Sequence, residues 1–137
     1  MIKVNKLTDY AVIILSYFAT QSSDRVFNAS QLASALDLPN PTVSKILKIL
    51  LKNQFVISHR GAQGGYQLAK PLEYITVAQL IEAMEGRVAV TECSSVRTGL
   101  CSHEMACQMR NPWQKINHMV LNLLSQVTLA DMRDNRE

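Results

Sequence analysis

Residues 28–52, NASQLASALDLPNPTVSKILKILLK, contain two amphipathic segments separated by a turn. The first segment opens with Asn28 followed three residues later by Gln31, which is the spacing of a capping box. The apolar residues that we assign to its inner side are Leu32, Ala35 and Leu36. These features predict a short helix that ends at the turn DLPNP, residues 37–41.

The second segment starts with Asn40 and Pro41, the pattern of an N-cap residue before a proline at the first helical position. Its apolar residues recur at i, i+3, i+4 and i+7, namely Val43, Ile46, Leu47 and Leu50. Lysines occupy much of the remaining surface. Two helices joined by a tight turn, the second basic on its outer side, predict a helix-turn-helix, although helical hairpins without a nucleic-acid role share this pattern.

A predicted β-hairpin follows directly. FVISHR (55–60) alternates Phe55 and Ile57 with polar neighbours, GAQGG (61–65) is a turn, and YQLAK (66–70) alternates again. A hairpin after the second helix of such a pair is the layout of a winged helix. Arg60 and Gln63 would lie at its tip, where an arginine can enter a minor groove; the glycines are equally explained by turn geometry.

One helix is predicted before the helix-turn-helix and hairpin, and another after them. The stripe of the N-terminal helix contains Leu7, Tyr10, Ala11, Ile14, Leu15 and Phe18, with Asp9 off the stripe. Thr76 and Gln79 form a second capping-box pattern, and the helix that they open is expected to stop at Gly86.

A long helix is predicted near the C-terminus. Asn111 and Pro112 repeat the cap-then-proline pattern. The apolar residues that follow have 3-4-3-4 spacing, typical of a helix that packs along another helix: Trp113, Ile116, Val120, Leu123 and Val127. We interpret this stripe as a dimerisation surface, with packing within one chain as the alternative. The polar tail 131–137 is expected to fray.

Length and charge restrict the class of protein. The chain has 137 residues, enough for one compact domain. No apolar run reaches the ~20 residues of a membrane span, and no export signal is evident, so we expect no membrane association and a cytoplasmic location. Residues 1–70 contain eight Lys/Arg against three Asp, and residues 71–137 contain six against eight Asp/Glu. The basic N-terminal half suggests a polyanion partner, although solvated lysines would give the same count.

All three cysteines lie within CSSVRTGLCSHEMAC, residues 93–107. A disulfide would leave one thiol over and needs an oxidising compartment. The spacings of seven and five residues between successive cysteines are wider than a zinc knuckle allows, and they suit an iron–sulfur cluster better. A cluster, redox-active thiols and coincidence all remain open, and a cluster needs a fourth ligand, for which His103, Glu92, Glu104 and the distant Asp9 are available. A cysteine enzyme would need a rigidly held base near one thiol, and no histidine has such a setting, so we predict no enzymatic activity.

Several of these segments together resemble the family of winged-helix iron–sulfur transcription regulators that includes IscR and the nitric-oxide sensor NsrR, and most closely its branch regulating Suf iron–sulfur assembly genes. The residues that carry the resemblance are distributed along the chain: KLTDYAV (6–12), LPNPTVSKILKILLKNQFV (38–56), RGAQGGYQLAK (60–70), ITVAQLIEAMEG (75–86), the three cysteines, PWQKIN (112–117) and TLADM (128–132). The fold class implied is mainly α with a small β-wing, a winged helix-turn-helix plus a long C-terminal dimerisation helix.

The resemblance also implies roles for individual residues. The groove-facing end of the recognition helix would contain Pro39, Pro41, Thr42, Ser44 and Lys45, and Arg60 would lie in the wing. Asn40, Lys48 and Gln63 complete the predicted DNA-binding set.

Cys93, Cys101 and Cys107 would ligate an iron–sulfur cluster. IscR has a histidine three residues after the last cysteine, where this chain has Arg110. NsrR uses an aspartate in a TDY-like context from the partner subunit, so the resemblance favours Asp9 of the partner as the fourth ligand, with His103 as the alternative. A [2Fe–2S] cluster is expected, and [4Fe–4S] is the alternative.

We therefore expect a winged-helix DNA-binding part at 1–86, a cluster-binding loop at 87–110 and a dimerisation helix at 111–130, in one compact domain. The predicted function is a homodimeric regulator that senses a cluster and binds a palindromic operator in double-stranded DNA. The alternatives are a regulator of stress genes that responds to thiol oxidation or nitric oxide, and a redox or cluster-carrier protein.

Overall fold

The computed structural model of the chain describes residues 3–91 and 108–134. The helices and strands follow one another along these residues: α1 (Lys6–Thr20), α2 (Ala29–Leu36), α3 (Asn40–Lys52), β1 (Val56–His59), β2 (Gly65–Leu68), a 3-10 helix (Leu72–Tyr74), α4 (Val77–Glu85), α5 (Arg110–Gln126) and α6 (Leu129–Asp134). The mainly helical architecture with a small β-wing that the sequence predicts is confirmed. Cys93, Cys101, Cys107 and His103 lie outside the described residues.

Helix α1 supplies one wall of the core. Its N-cap is Asn5, whose side chain accepts a hydrogen bond from the backbone N–H of Leu7 at 3.2 Å. The predicted stripe points inward, because four of its members are buried and the other two pack against the core at its edge. Asp9 lies on the exposed side, as expected.

Helices α2 and α3 form the predicted helix-turn-helix. The capping box of Asn28 and Gln31 is present, and Asp37 adopts the left-handed conformation (φ 53°) where α2 ends. Every member of the predicted α3 stripe is fully buried. Two details of the prediction are wrong: Ala33 is buried in place of Ala35, and α3 begins at Asn40 with Pro39 as its N-cap. Ala35 is turned to solvent because α2 is short and buries only the face centred on Leu32 and Ala33.

The predicted wing is an antiparallel hairpin in which Val56 pairs with Leu68 and His59 with Gly65. The alternation of Phe55 and Ile57 is wrong, because Phe55 and Val56 are both buried whereas Ile57 is 45% exposed. Phe55 precedes β1, so the alternation of the strand does not extend to it. Within the two strands Val56 is buried, and Tyr66 and Leu68 pack against the core while partly exposed. A third segment joins the hairpin: Phe27 and Tyr66 exchange two backbone hydrogen bonds, at 2.9 and 2.7 Å.

The C-terminal part returns to the core. Thr76 and Gln79 form the expected capping box of α4, and Gly86 ends that helix. The long helix begins at Arg110 rather than after an Asn111 cap, and Val127 is its extended C-cap residue. The predicted helix 111–130 is therefore interrupted at Val127, whose carbonyl accepts a hydrogen bond from Val77 N–H at 2.8 Å.

The tail 131–137 was expected to fray, and this prediction is wrong for residues 131–134, because Leu129–Asp134 form α6. Thr128 and Asp131 cap this helix reciprocally, with bonds of 2.9 and 3.2 Å. Leu129 is fully buried in the same core as α1 and α3. The winged helix is thus completed by residues from beyond position 86.

Candidate nucleic-acid interface

The outer side of α3 presents polar and basic side chains. Lys45 and Lys48 are exposed, and Thr42 and Ser44 are half-buried. Within the described part of the chain, neither lysine has a carboxylate partner within ion-pair distance. Their positive charge is therefore available to a polyanion.

The start of α3 is open. Pro39, Asn40 and Pro41 are exposed, and no side chain caps the helix. The Asn40 amide instead donates to Ser30 Oγ at 3.1 Å, which ties the beginnings of α2 and α3 together. An uncapped N-terminus of a 13-residue helix carries the positive end of the helix dipole, which favours phosphate.

The loop between β1 and β2 carries Arg60 and Gln63, both exposed. Gly61 has a φ of 107°, which favours glycine. A Cβ atom on Gly64 would collide with the carbonyl oxygen of His59, and one on Gly65 would collide with that of Phe27. The glycines are required by the hairpin itself, so they position Arg60 and Gln63 and need no ligand to explain them.

Gln67 fastens the wing to the loop after α1, a role that the sequence interpretation missed. Its amide nitrogen donates to the Ser23 carbonyl at 2.5 Å. Its amide oxygen lies 2.9 Å from His59 Nε2, and since that oxygen can only accept, the histidine nitrogen donates. Gln67 thereby joins both wing strands to the body. The only sequence signal was a polar residue in the middle of a predicted strand.

Asp9, the predicted oxygen ligand, lies in the first turn of α1 with its side chain exposed. Beside it, the buried Thr8 donates its hydroxyl to Glu85 Oε2 at 2.7 Å, and Glu85 Oε1 accepts from Asn5 N–H at 3.2 Å. Asp9 is therefore located near the end of α4, the last described helix before the cysteine-bearing segment. Within residues 3–91 and 108–134, no three His, Cys, Asp or Glu side chains are grouped to hold a metal ion.

Helix α5 has an exposed apolar face. Trp113 is 39% exposed, Ile116 42% and Leu123 64%, whereas Val120 is half-buried. Met119, which the predicted stripe omitted, is 63% exposed.

Asn117 lies within this helix and is buried. Its side-chain oxygen accepts a hydrogen bond from Val90 N–H at 2.9 Å, so it holds the chain that leaves α4. Its position four residues after Trp113 and three before Val120 could have revealed a polar member of the stripe.

The described helices include none with both the length and the apolar composition needed to cross a bilayer.

Known proteins resemble this chain along almost its whole length. NsrR, an HTH-type transcriptional regulator of Oceanobacillus iheyensis, is 28% identical over 98% of this chain and 91% of its own. The solved structure of IscR from T. potens has a TM-score of 0.71 and 26% identity, covering 99% of this chain and 89% of its own. CymR, the global cysteine regulator of B. subtilis, has a TM-score of 0.73 over all of both chains, and at 23% identity it supports the fold alone.

Residues 4–135 match the sequence profile of the Rrf2 family, described as iron-dependent transcriptional regulators. Its relatives are regulators of transcription and not enzymes. The exposed helix-turn-helix and the wing agree with that assignment, and the chain belongs to the Rrf2 family of winged-helix transcriptional regulators.

Proposed function

We propose that the protein is a cytoplasmic, homodimeric regulator that binds a palindromic operator and senses an iron–sulfur cluster, with iron–sulfur assembly genes as its targets. The observation that carries this proposal is the open, uncapped start of α3 with its exposed lysines, in a chain that also has three cysteines between α4 and α5. A surface of this kind attracts DNA, and thiolates are the ligands that iron–sulfur clusters use.

The DNA-binding role is divided between α3 and the wing. Pro39, Asn40, Pro41, Thr42 and Ser44 enter or border the major groove. Lys45 and Lys48 neutralise phosphates, whereas Arg60 and Gln63 reach the adjacent minor groove.

The dimer forms through α5. Large exposed apolar side chains on one face of a 17-residue helix need a cover, and the helix is about 25 Å long, enough to pack along a second copy of itself. The stripe on the helix consists of Trp113, Ile116, Val120 and Leu123, with Val127 at its end. A two-fold axis here would present two α3 helices to half-sites about 34 Å apart.

Cys93, Cys101 and Cys107 would supply three ligands to the cluster, and Asp9 of the partner subunit would supply the fourth, with His103 of the same segment as the alternative. Asp9 suits this role because its carboxylate is exposed and makes no hydrogen bond or ion pair within the described residues. When bound, the cluster would supply a redox-sensitive connection between the two subunits that is lost when the cluster is lost. We propose a [2Fe–2S] cluster, and its absorption spectrum distinguishes it from [4Fe–4S]. If ligands come from both subunits, gain or loss of the cluster changes the dimer and hence the separation of the two α3 helices.

The test is anaerobic purification followed by an absorption spectrum and by gel shifts with the iron–sulfur assembly promoter at low salt. The holo and cluster-free proteins should differ in affinity for this DNA. No specific retardation by either form would contradict the regulator proposal and favour a cluster carrier. Specific retardation by a protein that shows no visible cluster spectrum would favour a regulator that uses redox-active thiols.

The fourth ligand is tested separately. Asp9→Ala should shorten the lifetime of the reconstituted cluster in air and alter its visible spectrum, whereas Asp24→Ala, an exposed aspartate in the loop after α1, should leave both unchanged. If His103→Ala alters the spectrum and Asp9→Ala does not, the ligand is His103.

A further inference from the structure

A groove of about 390 Å³ lies between the end of α1, the segment that follows β2, and α6. Its volume falls within the range of about 300–1,000 Å³ that is typical of small-molecule sites. The groove is separate from the outer side of α3 and from the exposed face of α5. None of the predicted DNA-binding, cluster-binding or dimerisation residues lines it.

The floor of the groove is apolar and its rim is cationic. Phe18 and Leu72, both buried core residues, form part of the floor together with Leu68. Three cationic residues, Arg25, Lys70 and Arg133, line the groove against a single carboxylate residue, Glu73. Within the described residues, no ion pair neutralises any of the three cations. An apolar floor beneath unneutralised cations favours a ligand with a hydrocarbon chain and one anionic group.

The two arginines are exposed, and each makes contacts that restrict its side chain. The Arg25 guanidinium lies 4.9 Å from the centre of the Phe27 ring and donates to Gln21 Oε1 at 3.3 Å. Arg133 donates to the carbonyl of Ala19 at 3.5 Å. Ordering these side chains in advance lowers the entropy cost of binding an anion between them. Arginine also matches the planar carboxylate group with two parallel hydrogen bonds.

The groove is adjacent to the base of the wing. Leu68, Ala69 and Lys70 continue from β2 into its lining, and Ser22 and Ser23 line it from the loop after α1. Ser23 is also the residue whose carbonyl accepts the hydrogen bond from Gln67 of the wing. A ligand here would therefore touch both segments that the Gln67 bond connects.

We propose that this groove binds a small aliphatic monocarboxylate and that the bound carboxylate changes the orientation of the wing, so that it acts as an effector of DNA binding. The carboxylate is held by Arg25 and Arg133, and the hydrocarbon chain lies on Phe18, Leu68 and Leu72. The site itself stands without the proposed function. Only its effect on DNA rests on that function.

Hexanoate is the probe, titrated into the full-length protein and followed by amide NMR shifts. Three matched compounds serve as controls. Hexanamide lacks the negative charge, acetate lacks the hydrocarbon chain, and hexylammonium carries the opposite charge. Saturable hexanoate binding is expected with a dissociation constant on the order of 1 mM, and each matched compound should bind at least about fivefold more weakly. Equal responses to hexanoate and hexanamide, or no saturable response, would overturn the site.

Variants then locate the binding. Arg25→Gln and Arg133→Gln should each weaken hexanoate binding about tenfold, because each removes a charge-assisted hydrogen bond. Arg87→Gln removes the same charge outside the groove and should have no effect. Ala69→Trp, at an exposed position of the lining, should block binding without removing a charge. Thermal unfolding of each variant checks that it is folded, and equal hexanoate affinity in Arg25→Gln and Arg87→Gln would overturn the assignment.

The effector role is measured by operator affinity at saturating hexanoate and constant ionic strength. Wild type should change its affinity about fivefold or more, and Ala69→Trp should not respond. Hexanoate binding without any change in DNA affinity would overturn the effector role and leave the site. If no form of the protein binds DNA specifically, the proposed function fails while the NMR result still decides the site.

Discussion

Helices α3 and α5 each carry an apolar stripe with helical periodicity, but the two stripes differ in exposure. All four members of the α3 stripe are fully buried, whereas Trp113, Ile116 and Leu123 on α5 are between 39% and 64% exposed. Apolar periodicity therefore identifies the face that a helix must cover, but not what covers it.

The difference lies in the neighbours that the chain provides. Helix α3 packs against α1, α2, β1 and α4, so its stripe is enclosed on every side. Among the described elements, the main neighbour of α5 is α4, which covers one side of it. The other side carries the exposed Trp113, Ile116 and Leu123, and it is the side that we propose a second copy of the chain covers.

The sharpest test of this contrast truncates one leucine in each stripe. Leu47→Ala in α3 should lower the free energy of unfolding by about 2–5 kcal/mol, because it leaves a cavity in a fully enclosed site. Leu123→Ala in α5 should change the unfolding free energy of the monomer by less than about 0.5 kcal/mol. Urea unfolding at a protein concentration below that of dimerisation measures both, and equal losses would contradict the different environments of the two helices.

A charge in the α5 stripe should break the proposed dimer and leave the monomer intact. Leu123→Asp would place an unpaired carboxylate in the interface of each subunit and should weaken dimerisation at least about 100-fold. Sedimentation velocity gives the dissociation constant. Tyr74→Asp, which alters a 67% exposed side chain of the 3-10 helix, is the matched control and should leave dimerisation unchanged. A Leu123→Asp protein that remains a dimer would rule out α5 as the interface.

The outer side of α3 should contribute to DNA binding without contributing to stability. Lys45→Ala should weaken operator binding about tenfold and reduce the slope of log affinity against log salt by about one per subunit, because one phosphate contact is lost. Lys52→Ala, in the last turn of the same helix, is the matched control and should have a smaller effect on both. Fluorescence anisotropy over a range of salt concentrations makes the measurement, and an identical slope for Lys45→Ala and wild type would show that Lys45 does not contact phosphate.

The smallest expected effect concerns α4, which lies between α3 and α5 in the chain. Thr76→Ala removes the side chain that accepts a hydrogen bond from Gln79 N–H at 3.1 Å and should lower the free energy of unfolding by about 1 kcal/mol. Thr76→Ser retains the hydroxyl and should restore most of that loss. Thermal or urea unfolding separates the two variants. Equal stability of all three proteins would mean that α4 is held by packing alone.

Local patterns predicted the helices well, and long-range contacts account for the errors. Both capping boxes predicted for α2 and α4 are present because each depends on residues three positions apart. Strand alternation predicted that Ile57 faces the core, but it is exposed. Whether a residue in the middle of a strand is buried depends on which other segments pack against that face of the strand. Nothing in the residues around Phe27 indicated that it would pair with Tyr66, nearly forty positions later.

For the candidate DNA-binding surface, the residue types and their order on α3 were predictable, since exposed lysines opposite an apolar stripe follow from the period of the helix. Gln67 and its bonds to Ser23 and His59 were not, because side chains from three segments meet there. The ligand roles of Cys93, Cys101, Cys107 and Asp9 stay predictions.

The sequence by itself determined where most helices begin and end, which face of each is apolar, and that a glycine-rich turn joins two strands. These features depend on backbone geometry and on neighbours within one or two turns. Only the tertiary structure decided that the α3 stripe is enclosed and the α5 stripe is open, that Leu129 returns to complete the core, and that Gln67 ties the wing to the body. Such contacts join residues far apart in the chain, and their partners are chosen by packing of the whole molecule rather than by any local pattern.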